Sequence, residues 1–268
     1  MRLFVTGHKG LLGSKIVKYS GIFPKERVDI TKKEIFTSIR KVNPDVVIHC
    51  AAFTNVDECE IQKEKAWEVN VIGTENVAKA CQNIGAKMIY VSTDFVFDGK
   101  KGMYKETDKT NPINYYGKTK LEGEKKVQEI CKNYVIARTS VLYGWHEKLN
   151  FVTWVIEQLK HKNKINIVTD QYTSPTFADN LAKVLLEIAE KDIQGLYHIT
   201  GSERINRYDF ALKIADRFDL DKSLITPISS EELNQKAERP KDSSLCVEKI
   251  KNKICTKLLN IDEGLKRM

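Results

Sequence analysis

A tyrosine and a lysine four residues apart carry the clearest chemical meaning in this sequence. Tyr116 and Lys120 stand at the start of a segment with helical periodicity, residues 116–131. Side chains at i and i+4 lie on one face of a helix, one turn apart. An ammonium group beside a phenol favours the phenolate and lowers a pKa that is normally about 10, so the tyrosine can donate or accept a proton. The same spacing also occurs in plain surface contacts, so the neighbouring elements decide its meaning.

A glycine-rich turn follows the first strand-like segment. Residues 1–6 are predicted to form a buried strand, and three glycines at three-residue spacing come directly after it, before a helix. Glycines permit a tight turn and a close backbone approach, and a helix N-terminus offers free N–H groups to a pyrophosphate. The order of strand, turn and helix therefore predicts a dinucleotide-binding loop. The loop residues that we assign to the cofactor are Gly7, Lys9, Gly10, Leu11, Leu12 and Gly13.

Strands and helices alternate through the first half of the chain. Continuous apolar runs predict buried strands at 45–50, 87–92 and 134–138, and helical periodicity lies between them at 67–82 and 116–131. This alternation is typical of an α/β fold, here a Rossmann-like doubly wound parallel sheet.

The pattern loosens after Gly144, where strand-like and helical segments mix. The strand-like segments are 165–168 and 197–200, and the helical ones are 177–191 and 208–218. We expect a smaller C-terminal substrate-binding lobe that closes over the carboxyl edge of the sheet. The predicted division is 1–144 for the dinucleotide-binding domain, with residues 170–195 returning to it, and 145–268 mainly for the lobe.

The composition excludes several classes of function. A chain of 268 residues fits one large domain or a domain with a lobe. Six scattered cysteines without a Cys-x-x-Cys pair indicate reduced thiols and a cytoplasmic location, and no apolar run is long enough for a membrane span. The net charge of +8 lies largely on mixed lysine and glutamate faces, so we expect no nucleic-acid partner. A mild positive field suits an anionic nucleotide.

Several motifs in fixed order carry a family resemblance over nearly the whole chain. The chain resembles the extended short-chain dehydrogenase/reductases, and among them most closely the dTDP-4-dehydrorhamnose reductases. The motifs are Gly7-x-x-Gly10-x-x-Gly13, Ala51-Ala52-Phe53-Thr54-Asn55-Val56-Asp57, Ser92-Thr93-Asp94-Phe95-Val96-Phe97-Asp98-Gly99, Tyr116-Gly117-Lys118-Thr119-Lys120, Arg138-Thr139-Ser140 and Arg239-Pro240.

The resemblance implies a catalytic trio. Thr93 would polarise a ketone, Tyr116 would deliver the proton, and Lys120 would lower the tyrosine pKa while binding the nicotinamide ribose. From the residues alone, Thr93 could equally be a helix cap or part of a turn. A hydroxyl at the end of a central strand can also stabilise developing negative charge. The implied activity is NAD(P)H-dependent reduction of the 4-keto group of a nucleotide-activated 6-deoxysugar. The alternative is a non-catalytic, NADP-binding regulatory subunit that resembles the β subunit of methionine adenosyltransferase.

The identity of the cofactor depends on few residues. In a simple Rossmann interpretation, Asp29 holds a ribose 2′-hydroxyl and favours NAD(H). The resemblance instead places Asp29 and Ile30 beside the adenine, and Lys9 and Arg27 could meet a 2′-phosphate or be surface charges. We favour NADP(H), with NAD(H) as the alternative. Further cofactor contacts are assigned to Ala51, Ala52, Thr54, Tyr116 and Lys120.

The substrate side shows departures from the family pattern. Relatives usually carry Tyr where Phe95 stands and Trp where Val141 stands, and Trp145 nearby is expected to pack in the core. Both changes remove contacts to a sugar, so we expect a nucleotide-diphosphate sugar held mainly by its diphosphate. The residues assigned to the substrate are Val56, Asp57, Thr93, Asp94, Phe95 and Arg239.

Some relatives hold a metal at a dimer contact through a glutamate two residues after the third glycine. Lys15 occupies that position here, so we predict no such metal site. The resemblance leaves a homodimer open.

Overall fold

Strands and helices alternate along the chain in the computed structural model, which describes residues 1–22, 28–233 and 235–268. The strands are β1 (Leu3–Thr6), β2 (Val46–His49), β3 (Lys87–Thr93), β4 (Tyr134–Thr139), β5 (Leu142–Tyr143), β6 (Ile165–Val168), β7 (Tyr172–Thr173), β8 (Thr176–Phe177), β9 (Gly195–His198), β10 (Ile205–Asn206) and β11 (Ile225–Ile228). The helices are α1 (Leu11–Ser20), α2 (Glu34–Val42), α3 (Val56–Ile61), α4 (Lys63–Trp67), α5 (Thr74–Ile84), α6 (Tyr115–Ile130), α7 (Phe151–Lys160), α8 (Ala178–Glu190), α9 (Arg207–Arg217), α10 (Ser230–Leu233), α11 (Glu248–Lys251) and α12 (Ile261–Lys266). A π-helical segment spans Glu68–Gly73, and 3-10 segments span Asp94–Val96 and Lys222–Leu224.

A parallel sheet forms the centre of the described structure, with strand order β1-β2-β3-β4-β9. Successive residues of a strand point to opposite faces, and both faces are buried here. In β3, Ile89 packs in the core beneath α1 and α8, whereas Met88 and Tyr90 pack in the core beneath α2, α5 and α6. The predicted parallel sheet with helices on both faces is confirmed.

A second core lies in the C-terminal half. It joins the apolar faces of α7 and α9 to short strands, with Phe210, Ile156 and Tyr143 among its buried members. Two of these strands, β6 and β11, pair with each other in parallel, and Ile225 of β11 lies opposite Ile165 of β6. Thr93, which ends β3 of the main sheet, and Arg207, which begins α9, line a common cavity.

Two local features differ from the sequence-based prediction. The expected continuous helix 67–82 is interrupted by the π-helical segment Glu68–Gly73, which periodicity does not reveal. The strand predicted at 197–200 within the lobe lies instead at Gly195–His198 and pairs with β4 of the main sheet. The segment that returns to the sheet therefore extends past residue 195. No helix in the described part of the chain is long and apolar enough to cross a membrane.

Candidate active site

The glycine loop makes a close-packed turn that only small residues can occupy. Gly7 has φ +67°, and a Cβ at this position would lie 2.7 Å from the backbone nitrogen of Ala51. A Cβ at Gly13 would overlap the carbonyl oxygen of Gly7. Gly10 is the N-cap of α1, and no side chain caps the first turn of that helix. The loop thus leaves the N-terminal N–H groups of α1 for an anionic ligand, as a dinucleotide pyrophosphate requires.

The other residues of the glycine loop differ in the solvent exposure of their side chains. Lys9 is exposed, and its carbonyl oxygen lies 3.0 Å from Nε2 of His146. Leu11 is partly exposed, whereas Leu12 is buried in the sheet core. Leu12 can therefore meet a ligand through its backbone and not through its side chain.

The residues expected beside the adenine have structural partners. The carboxylate of Asp29 accepts hydrogen bonds from the backbone nitrogen and the hydroxyl of Thr31, at 2.9 and 2.8 Å. Ile30 is buried and packs against Gly73 of the π-helical segment. Arg27, the second cation expected near a 2′-phosphate, lies outside the described residues.

Asn70 fixes the segment that follows Ala51 and Ala52, the small residues that were predicted to contact the cofactor. Its side-chain oxygen accepts from the backbone nitrogen of Phe53 at 2.8 Å, and its amide nitrogen donates to the Phe53 carbonyl at 3.0 Å. The same amide nitrogen donates to the Thr119 hydroxyl of α6 at 3.0 Å. Asn70 sits in the π-helical segment, an element often found at functional sites. Sequence reasoning missed this residue, because its role depends on the π-helical geometry.

The three residues expected to be catalytic converge at the carboxyl edge of the sheet. Thr93 ends β3, and Tyr116 lies on the first turn of α6, one turn before Lys120. A cavity of about 200 Å³ is lined by both Thr93 and Tyr116. The full lining comprises Thr54, Val56, Thr93, Asp94, Phe95, Tyr116, Val141 and Arg207.

The first turn of α6 is held tightly against the loop after β3. Asn114 caps the helix by accepting from the backbone nitrogen of Gly117 at 2.8 Å, and it donates to the Glu238 carbonyl at 2.9 Å. Gly117 packs so closely on the carbonyl oxygen of Phe95 that a Cβ would overlap it. The ring of Phe95 meets that of Tyr116 edge-on at 6.1 Å between centroids. These contacts fix where the Tyr116 phenol enters the cavity.

A buried ion pair anchors the middle of α6 to the sheet. Arg138 of β4 donates from Nε and Nη2 to the carboxylate of Glu124, at 2.9 and 2.7 Å. Ser92 donates to the same carboxylate at 2.5 Å. A buried pair requires such hydrogen bonds to offset desolvation of its charges. The Arg138-Thr139-Ser140 motif therefore acts here, through Arg138, as a support of α6.

Lys120 lies beneath the tyrosine but faces the sheet. Its Nζ donates to the Val91 carbonyl at 2.8 Å and lies 4.1 Å from the centroid of the Tyr90 ring. Burial lowers the pKa of Lys120 to about 7, and the nearby Glu124 opposes the decrease. The ammonium is therefore costly to keep charged in the protein without a bound ligand.

The acid–base behaviour of Tyr116 differs from the expectation. Burial raises the pKa of Tyr116 above its usual value of 10, and the adjacent Thr93 hydroxyl opposes that rise. Lys120, which the spacing suggested would lower this pKa, donates its Nζ hydrogen bond to the Val91 carbonyl. The phenol is thus protonated throughout the neutral pH range, the state of a proton donor.

A buried carboxylate holds the hydroxyl of Thr93. Asp94 accepts from Thr93 Oγ1 at 3.0 Å, from Ser140 at 2.7 Å and from Ser243 through a short hydrogen bond. Burial raises the pKa of Asp94, and the three hydroxyls oppose the rise. Asp94, which was predicted to contact substrate, lines the cavity, and its oxygens join the end of β3 to the loop after β4 and to the C-terminal segment.

Two other residues assigned to the substrate pair with each other across the chain. Arg239 donates from Nη1 and Nη2 to the two carboxylate oxygens of Asp57, at 3.0 and 2.8 Å. Asp57 also accepts from the backbone nitrogen of Ala237 at 2.9 Å. These contacts lower the pKa of Asp57 against the opposing effect of burial. Val56, the first residue of α3, lines the cavity beside this pair.

Both positions that depart from the family pattern, Phe95 and Val141, line the cavity. Val141 lines the cavity and has φ +40°, a backbone conformation that is strained for a β-branched residue. Trp145, expected in the core, is 47% exposed instead; its Nε1 donates to the carbonyl of Met268 at 2.7 Å. Trp145 does not line the cavity, so the space beside Val141 is not filled by that ring.

Arg207 is the functional candidate that sequence reasoning missed most completely. It is the first residue of α9 and reaches the cavity from the C-terminal half of the chain. No motif in the sequence marks it.

Lys15, at the position where some relatives hold a metal, lies 3.5 Å from the carboxylate of Asp179.

The parallel sheet, the glycine loop and the helix with Tyr116 and Lys120 define a dinucleotide-binding protein of the short-chain dehydrogenase/reductase kind. The chain belongs to the RmlD substrate binding domain family, which it matches over residues 1–268.

Relatives of two different functions are similar to this chain. The dTDP-4-dehydrorhamnose reductase of Aggregatibacter actinomycetemcomitans is 36% identical over 270 residues, which cover 93% of this chain and 92% of that protein. The methionine adenosyltransferase 2 subunit beta of Xenopus tropicalis is 36% identical over 253 residues, which cover 86% of this chain and 76% of that protein. Among solved structures, the dTDP-4-dehydrorhamnose reductase of Bacillus anthracis in complex with NADP has a TM-score of 0.92 and 34% identity, covering 99% of this chain and 97% of that one.

Proposed function

We propose that the chain is an NADPH-dependent reductase of the 4-keto group of a nucleotide-activated 6-deoxysugar, with dTDP-4-dehydrorhamnose reduced to dTDP-rhamnose. The observation that carries the proposal is that Thr93, at the end of β3, and Tyr116, on the first turn of α6, line one cavity, with Lys120 one helical turn after Tyr116. The similarity to a reductase over more than nine-tenths of both chains supports the same activity.

The loop residues fit a dinucleotide. The glycines leave no space for side chains, and the first turn of α1 has no side-chain cap, so its N–H groups suit the pyrophosphate. Lys120 and Tyr116 would hold the nicotinamide ribose, with Asp29 and Ile30 beside the adenine. Lys9 is an exposed cation in the loop, and the similar Bacillus anthracis structure holds NADP, so NADP(H) is favoured and NAD(H) remains the alternative.

The reaction follows from the protonation states of the side chains. A reduced nicotinamide, when bound, would supply the hydride. Tyr116 is a neutral phenol at neutral pH and donates its proton to the oxygen of the reduced carbonyl. Thr93 lies beside the phenol, and its hydroxyl, which donates to Asp94 in this structure, would turn its proton to that oxygen and stabilise the negative charge that develops there.

A second candidate is a non-catalytic subunit that binds NADP and regulates a partner enzyme. It is favoured by the methionine adenosyltransferase subunit, which matches this chain at 36% identity, although the match covers only 76% of that protein. The two proposals differ in one respect that can be measured, which is turnover of a ketone.

The test follows oxidation of NADPH and of NADH by the purified chain with dTDP-4-dehydrorhamnose, together with identification of the product. Stoichiometric formation of dTDP-rhamnose supports the reductase. NADPH binding without turnover contradicts it and favours the regulatory subunit. The proposal also includes a cytoplasmic location and a homodimer, and light scattering of the purified chain would test the assembly.

A further inference from the structure

The cavity beside Tyr116 contains a cation whose charge is not matched by a hydrogen-bonded anion. The guanidinium of Arg207 has no ion pair or hydrogen bond with any residue in 1–22, 28–233 and 235–268. Its charge interacts at longer range with Asp94 and is repelled by Arg239. Asp94 already accepts hydrogen bonds from three hydroxyls, and Arg239 is paired with Asp57.

The position of Arg207 is nevertheless well defined. Its backbone nitrogen donates to the carbonyl of Gln171 at 3.1 Å, and the preceding Asn206 caps α9 by accepting from the backbone nitrogen of Asp209 at 2.8 Å. The guanidinium carbon lies 4.9 Å from the centroid of the Phe151 ring, within the range of a cation–π contact. Burial lowers the pKa of Arg207 to about 10, which still leaves the side chain charged at neutral pH. A fixed, charged and unpaired guanidinium is suited to bidentate recognition of an anion.

The size of the cavity indicates which part of a ligand carries that anion. The volume of about 200 Å³ is smaller than the roughly 300–1,000 Å³ of pockets that enclose a whole ligand. With its carbonyl at Thr93 and Tyr116, a sugar ring would occupy the cavity, and the nucleoside would lie outside it. The diphosphate that joins the two parts must then pass close to Arg207, which lines the cavity and lies within electrostatic range of Arg239. A 6-deoxysugar itself has no ionised group.

We propose that Arg207 binds the phosphate adjoining the sugar and so selects nucleoside diphosphate sugars over substrates that lack this phosphate. The inference rests on the proposed function for the identity of the substrate. It assigns to Arg207 a contact that is separate from the Asp57–Arg239 pair. It also explains why a cation remains unpaired in a cavity whose other charges are neutralised.

The test measures binding of dTDP and of dTMP to the full chain by isothermal titration calorimetry, for the wild type, Arg207→Gln, Arg207→Lys and the control Arg217→Gln. Arg217 lies at the far end of the same helix, outside the cavity. We expect Arg207→Gln to weaken dTDP binding by about tenfold or more, as for loss of a charge-assisted contact, and to leave dTMP binding within about twofold. Arg207→Lys should be intermediate, because lysine keeps the charge without the planar fork.

The outcomes separate this inference from the proposed reductase activity. Equal losses for dTDP and dTMP, or no loss in Arg207→Gln, would overturn the role of Arg207 even if the wild type reduces its ketone substrate. A selective loss for dTDP would support that role even if no turnover is found. In an active enzyme, Arg207→Gln should raise KM by about tenfold and leave kcat nearly unchanged. A fall in kcat alone would contradict a phosphate contact.

Discussion

Replacement of Lys120 by methionine should stabilise the protein while removing activity. Lys120 is 2% exposed, and burial lowers its pKa to about 7 from 10.5. At about 1.36 kcal/mol per pH unit, this shift corresponds to a desolvation cost of about 5 kcal/mol when the lysine is charged. Methionine has a similar length and no charge, so Lys120→Met avoids that cost, although it loses the charge-assisted hydrogen bond to Val91, which contributes about 1.5–3 kcal/mol.

The effect should depend on pH in a defined direction. Because the pKa of Lys120 is lower in the folded state, the unfolded chain binds more protons between about pH 7 and 10.5, and the wild type gains stability as the pH rises through that window. From the two pKa values, the desolvation cost is about 5 kcal/mol at pH 6 and about 2 kcal/mol at pH 9. The advantage of Lys120→Met over wild type should therefore shrink by about 3 kcal/mol between these two pH values.

Urea unfolding of wild type, Lys120→Met and Lys118→Met at pH 6 and pH 9 measures this difference. Lys118 is exposed on the same helix. The free energy of unfolding of Lys118→Met should therefore differ from that of wild type by the same amount at both pH values. An equal free-energy difference between wild type and Lys120→Met at both pH values would refute the argument that Lys120 is a desolvated cation. A wild type that is more stable than Lys120→Met at pH 6 would also refute it.

Three further predictions concern the carboxylates, the arginine and the cofactor loop. Asp94→Ala should lower the free energy of unfolding by about 1–3 kcal/mol, because three buried hydroxyls lose their acceptor. Asp94→Asn should lower it by less. Equal urea midpoints for wild type and both variants would contradict this prediction. Arg239→Ala should raise KM by about tenfold, about 1.4 kcal/mol, with little change in kcat. An identical increase in Asp57→Ala would show that Arg239 acts through that carboxylate and not on the substrate. Replacing Lys9 and Arg27 together by Ala should weaken NADPH binding by about 1–3 kcal/mol more than NADH binding in calorimetry, and equal losses would identify both as surface charges.

Much of the fold could be predicted because its signals are local. The glycine spacing after a hydrophobic strand predicted the loop and α1, and the apolar runs predicted the central strands to within one or two residues. The spacing of Tyr116 and Lys120 placed both on one helix, which the structure confirms as α6. The spacing of apolar residues suffices to predict a helix or strand where those residues are the ones that the fold buries.

The environment of the site depends on contacts between distant residues, which one sequence does not reveal. Spacing placed Lys120 under the phenol, but its direction is set by the Val91 carbonyl and the Tyr90 ring. The Asp57–Arg239 pair joins residues 182 positions apart. Arg207 reaches the cavity from α9, far along the chain from Thr93 and Tyr116, so its place in the site could not be assigned beforehand.

The most direct test of the account is single-turnover reduction of dTDP-4-dehydrorhamnose by NADPH-loaded wild type and Tyr116→Phe, followed by the loss of nicotinamide absorbance. Phenylalanine keeps the ring and its edge contact with Phe95 but cannot donate a proton. The account predicts that the rate falls by at least about 100-fold, the scale of a positioned general acid, while NADPH affinity is retained. A Tyr116→Phe variant that reduces the ketone at the wild-type rate would contradict the assignment of Tyr116 as the proton donor.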